Sequence, residues 1–105
     1  MSIEQVLDDH MSGLVAGDVE RAVADYADDA VMITAGMGTA EGIEAIRQAF
    51  SMIPPGMFAG FEETERVVVG ETAMVTWKTD ALAFGTDTFV VRDGKIVAQT
   101  VAFSG

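Results

Sequence analysis

Two hydrophobic periods divide the chain. From Ile3 to Val15, apolar residues recur at helical spacing: Ile3, Val6, Leu7, Met11, Leu14 and Val15, with His10 on the same stripe. Ser2 and Gln5 stand three apart as a capping box, and Gly17 supplies a left-handed stop. Asp18 is placed to cap a second helix over Val19–Ala27, with Asp28-Asp29 ending it, because acids sit badly at a helix C-terminus. Ala30–Thr34 is short and β-rich and predicts a strand; Gly36 and Gly38 mark a turn after it. A third helix is predicted near Gly42–Met52, with Ile43, Ile46 and Phe50 on one stripe running on to Ile53, stopped by Pro54-Pro55.

From Phe61 the period falls to two. Strands are predicted at Phe61–Val69, Ala73–Thr79, Phe84–Arg92 and Lys95–Phe103, with turns at Gly70-Glu71 and Asp93-Gly94. Three helices ahead of a run of antiparallel strands predict one α+β domain over residues 1–105, the helices packed on one face of the sheet. Apolar residues on both faces of a strand, as in Val67-Val68-Val69, require cover on both sides; the helices supply one side, and a homodimer through the outer sheet face is expected to supply the other.

Composition narrows the partners. Seventeen acids against six bases give a net charge of −11, which disfavours nucleic acid and anionic membrane surfaces, since neither finds a basic stripe. The acidic start of the chain lacks the charge pattern of a signal peptide, and no apolar run reaches the ~20 residues of a membrane span, so a cytoplasmic protein is expected. With no cysteine and one histidine, disulfides, thiol catalysis and a metal centre are not expected. Neither a phosphate loop nor a nucleophile elbow is present, and no cofactor is expected.

Several strings resemble the nuclear transport factor 2-like superfamily, in its SnoaL-like and ketosteroid-isomerase-like branches: Ala16-Gly17-Asp18 between two helices, Tyr26-Ala27-Asp28-Asp29-Ala30-Val31 at a helix-to-strand step, Gly42-Ile43-Glu44-Ala45-Ile46-Arg47 opening the third helix, and Asp87-Thr88-Phe89 before Asp93-Gly94-Lys95-Ile96. The resemblance implies a cystatin-like cone, with a curved sheet of four to six strands wrapped around a long helix to enclose a pocket, and dimers through the outer sheet face. It is specific for fold and unspecific for activity, since this fold hosts enzymes and binding modules alike.

His10 and Asp87 are the candidate catalytic residues. His10 points at the core or at a cavity within it, either as a satisfied neutral core histidine or as a proton shuttle. The resemblance implies that it stands where the isomerases carry an oxyanion-donating tyrosine. Asp87 shares a strand face with Phe89 and Val91, where desolvation would raise its pKa; pairing with His10 would instead favour an ion pair. The resemblance implies the position of a protonated oxyanion-hole acid, an arrangement for which ketosteroid isomerase is the worked example. The isomerases' general base falls in the region of Ile33-Thr34-Ala35, where this chain has no carboxylate, and Thr34 cannot replace it. Alternation groups Gln99 with Val97, Val101 and Phe103, either paired inside a pocket or exposed by a bulge. Tyr26, Met32, Thr34, Phe50, Met57, Trp77, Phe89, Gln99 and Val101 are the candidate substrate-binding residues, with Trp77 facing either the pocket or the dimer surface. Two functions are expected from this set: a cofactor-free isomerase- or dehydratase-like enzyme acting on an apolar carbonyl compound, or a non-catalytic module binding a hydrophobic small molecule or serving dimerisation.

Overall fold

The computed structural model describes residues 1–105. Its elements are α1 (Ile3–Ala16), α2 (Val19–Val23), β1 (Tyr26–Thr34), β2 (Gly38–Glu41), α3 (Ile43–Ser51), β3 (Glu62–Val69), β4 (Thr72–Lys78), β5 (Phe84–Arg92) and β6 (Lys95–Ser104). The six strands form one curved sheet in the order β2-β1-β6-β5-β4-β3. The helices cover its concave face, giving the α+β cystatin-like cone. No helix is long and apolar enough to cross a membrane.

The local signals act as their chemistry requires. Ser2 and Gln5 close a reciprocal capping box, and Gly17 ends α1 in the left-handed region at φ 71°. Asp18 accepts from the Arg21 N–H at 3.1 Å to start α2. Gly13 lets the two helices meet backbone to backbone: a Cβ there would lie 2.6 Å from the Ala22 nitrogen.

Three departures from sequence expectation have physical causes. The second helix stops at Val23, and Tyr26-Ala27 opens β1 instead. Tyr26 pairs with Ile96 on β6 and buries its ring, while the Ile96 N–H donates to the Asp25 carbonyl at 2.7 Å; sheet pairing outweighs helical spacing here. The two acids of Asp28-Asp29 lie in solvent where the β1–β6 register shifts. Second, Gly38 opens the short edge strand β2 where only a turn is expected. Third, the sheet is mixed, because β1 runs parallel to β6. A bulge between Val90 and Val91 also shifts the pairing of β6, so that Val97 leaves the alternation while Gln99, Val101 and Phe103 stay opposite Phe89, Asp87 and Gly85.

The core joins Val6, Leu7 and Met11 of α1 to Ile46 of α3 and to Ala73, Val75, Phe89 and Ile96 of the sheet. Arg66 of β3 clamps the sheet to α1, bonding Glu4, Asp8 and its neighbour Glu63 at 3.1, 2.9 and 2.8 Å. The convex sheet face carries no helix. Val31, Ile33, Val67 and Val69 are exposed there, and the facing positions of β5 and β6 are uncharged: Thr86, Thr88, Val90, Ala98 and Thr100.

Candidate functional site

A cavity of about 210 Å³ opens between the concave sheet face and the segment that follows α3. The sheet contributes Met32, Thr34, Trp77, Asp87, Gln99 and Val101; α3 and the proline turn contribute Phe50, Ile53, Pro54, Met57 and Phe58. Asp87 is the one ionisable side chain in this lining.

Strand alternation places the polar groups. Asp87, Gln99 and Trp77 all point inward, Asp87 lying across from Val101 and Gln99 across from Phe89. The Trp77 indole N–H donates to Asp87 Oδ1 at 3.4 Å, and the Gln99 side-chain amide donates to Oδ2 at 3.3 Å. The Tyr26 hydroxyl donates in turn to Gln99 Oε1. Gly85 permits this arrangement, since a Cβ there would lie 2.3 Å from the Trp77 ring. Phe58 and Phe61 pack on the outer side of the indole.

Burial pushes the Asp87 carboxyl up to about 7, only partly offset by the donors Trp77 and Gln99. Both contacts are long for N–H···O bonds and hold the charged form weakly. Since both neighbours donate, neither can take the proton of the neutral acid. Burial, and next the nearby Asp87, holds the Tyr26 hydroxyl well above its ordinary pKa, so it stays a donor.

His10 lies apart from this network. It is fully buried, and its Nδ1 donates to the Ala22 carbonyl at 2.8 Å. Its ring packs against Tyr26, Phe50 and Phe89 at centroid separations of 5.5, 5.9 and 5.5 Å. Burial lowers its pKa to about 4, against the opposing pull of the Ala22 carbonyl. The alternative in which Asp87 pairs with His10 is not adopted: desolvation disfavours the charged form of both groups, and each bonds elsewhere.

Of the residues expected to bind substrate, Met32, Thr34, Phe50, Met57, Trp77, Gln99 and Val101 line the cavity, whereas Tyr26 and Phe89 lie buried beneath it. Trp77 faces the cavity and not the convex surface. Among the lining residues that sequence reasoning missed, Pro54 and Phe58 belong to a turn-rich segment without periodicity, whereas Ile53 reads only as the end of a helical stripe. A larger groove of about 520 Å³ lies between the α1–α2 corner and the same segment, and Leu14, Phe50, Ile53, Met57 and Phe58 wall both spaces. Its one ionisable side chain, Asp18, is occupied as the cap of α2.

Among solved structures, a nuclear transport factor 2-like protein of unknown function from Burkholderia xenovorans is 26% identical, with a TM-score of 0.85 over 97% of this chain and 82% of that one. A protein of unknown function with a cystatin-like fold from Methylobium petroleophilum is 17% identical, with a TM-score of 0.80 over 97% and 75%. A ketosteroid isomerase-like protein from Erwinia carotovora is 17% identical, with a TM-score of 0.71 over 98% and 94%; at such identity these last two likenesses concern fold. No curated protein matches the sequence. The model of the SnoaL-like domain matches residues 7–99, and the chain therefore belongs to the SnoaL-like family, within the nuclear transport factor 2-like superfamily.

Proposed function

We propose that the chain binds a small apolar carbonyl compound in the 210 Å³ cavity, with the neutral Asp87 carboxyl donating a hydrogen bond to the carbonyl oxygen. The observation that carries this is a buried acid in the cavity wall whose two protein neighbours both donate to it. Its proton needs an acceptor, and the cavity is where one can enter. A cavity of ~150 Å³ holds benzene, so this one suits a bicyclic ring. The methionines Met32 and Met57 give the wall an adaptable surface.

The test compares 2-decalone with decalin by calorimetry across pH. The ketone should bind better at pH 6 and lose affinity by about tenfold per unit above pH 7, as Asp87 ionises and stops donating. Asp87→Asn supplies a donor that does not titrate; it should retain ketone binding and lose the pH dependence. Equal affinity for the two compounds, or a flat profile in the unmodified protein, overturns the proposal.

Catalysis is the second reading, favoured by the same value of about 7, which lets one carboxyl take and return a proton near neutrality. Asp87 would abstract a proton α to the carbonyl and redeliver it, without a cofactor. Deuterium should then enter the α positions of 2-decalone in heavy water, and Asp87→Asn should abolish that exchange. No exchange above the buffer rate leaves a binding module.

The dimer is a further proposal: a second copy covers the convex face, whose centre on β5 and β6 is uncharged. Sedimentation at micromolar concentration should give a dimer that Val67→Glu and Ile33→Glu convert to monomer.

A further inference from the structure

His10 carries the one buried side-chain nitrogen or oxygen without a partner, Nε2. Because Nδ1 is the N–H that reaches the Ala22 carbonyl, Nε2 is a bare acceptor. The two nitrogens sit at different positions of the ring, so Nε2 is not held by the Ala22 carbonyl, and the ring that carries it is packed among Tyr26, Phe50 and Phe89. An acceptor buried dry in such surroundings costs about 1–3 kcal/mol. A phenylalanine-sized apolar side chain would avoid that cost on the same stripe.

Phe50 links this imidazole to open space. Its ring packs 5.9 Å from the imidazole and 6.0 Å from Tyr26, and it belongs to the walls of both the cavity and the larger groove. It is only half-buried, next to the C-terminus of α3. That helix has one fully covered side chain, Ile46, and the chain breaks into turns and Pro54-Pro55 directly after it. Open space therefore borders the ring on two sides.

We propose that His10 is a concealed hydrogen-bond acceptor for a hydroxyl-bearing ligand, exposed when the Phe50 ring swings out of the wall that both cavities share. A phenol or alcohol entering behind Phe50 gives Nε2 the donor it lacks and keeps its apolar body against Phe89 and Tyr26. The polarity is opposite to that at Asp87, which offers a proton. A ligand that meets both groups carries a hydroxyl at one end and a carbonyl at the other. The His10 subsite goes beyond the carbonyl proposal and does not need Asp87.

The chain has one histidine, so its imidazole nitrogens give unambiguous NMR signals after labelling with ¹⁵N-histidine. Phenol should move the Nε2 resonance of the unmodified protein toward the hydrogen-bonded range, and toluene should not. The same response in Asp87→Asn separates this subsite from the carbonyl proposal, and failure of 2-decalone to bind leaves it intact. In Phe50→Ala, phenol should bind about fivefold more tightly than toluene, as one net hydrogen bond predicts. Adding His10→Leu should remove that preference. An Nε2 signal that ignores phenol, or that answers toluene equally, overturns the proposal. So does a phenol preference that survives the loss of His10.

Discussion

The helical layer around His10 and the sheet wall around Asp87 solve the same electrostatic problem differently. Each buries one ionisable group, and in each desolvation works against the charged form: His10 down to about 4, Asp87 up to about 7. Around His10 the supports are backbone, namely the Ala22 carbonyl and the close meeting of α1 with α2 at Gly13. Around Asp87 they are side chains: an indole, an amide and, behind the amide, a phenol. A wall made of backbone cannot yield, whereas one made of side chains can adapt to a ligand. The difference gives the α1–α2 contact behind His10 a structural role and leaves the side-chain walls, Phe50 among them, to adapt to the ligands proposed above.

The sharpest way to break this contrast is to add one methyl group to each side. In Gly13→Ala the new carbon meets the Ala22 nitrogen at 2.6 Å and the Arg21 carbonyl carbon at 2.9 Å, and helices must separate to admit it. Chemical denaturation should show a loss on the order of 3 kcal/mol, the upper part of the range for overpacking. A loss below half of that would mean the helical layer is softer than described.

Opposed pKa shifts predict opposed pH slopes. Between pH 4 and 7 the unfolded chain has lost the Asp87 proton while the folded one keeps it, so this group makes stability fall as pH rises. Between pH 4 and 6.5 the unfolded chain carries the His10 proton and the folded one does not, so this group makes stability rise with pH. The two slopes cancel in the unmodified protein. In Asp87→Asn, stability should climb by about 3 kcal/mol from pH 4 to 6.5, and in His10→Asn it should drop by a similar amount, relative to the unmodified profile. Parallel profiles for the two variants would show that the groups do not titrate as opposites.

Gly85→Ala tests the yielding side. Its new carbon would lie 2.3 Å from the Trp77 ring, and the indole can shift where backbone cannot. The expected cost is about 2 kcal/mol. Because the indole N–H helps to hold Asp87 down, its displacement should raise the carboxyl further, above 7, as read from its carbon-13 resonance against pH. An unmoved titration would remove Trp77 from the network. Tyr26→Phe should have the smallest effect, about 1 kcal/mol, by taking one donor from Gln99. The ketone affinity should survive it, since Asp87 stays in the cavity lining in either case.

Much of the fold was legible in the chain itself. Capping at Ser2, the stop at Gly17, and the change of period at Phe61 are local signals, written within a few residues and obeyed in the structure. Strand alternation likewise grouped Asp87 with Phe89 and Val91, and Gln99 with Val101 and Phe103, because a pleated strand turns successive side chains to opposite sides whatever its neighbours are; that Trp77 and Gln99 turn inward is for the fold to decide. What alternation could not supply is which inward groups meet. The separation of His10 from Asp87, the bonding of Gln99 to both Tyr26 and Asp87, and the role of Phe50 in two walls all depend on packing between elements distant in sequence. The start of β1 at Tyr26 belongs with these, since a partner strand seventy residues away outweighed the local helical spacing. Periodicity determines which side chains share a face; only the curved sheet and the helices laid across it decide which neighbour fills the space in front, and so which buried acid lies between two donors.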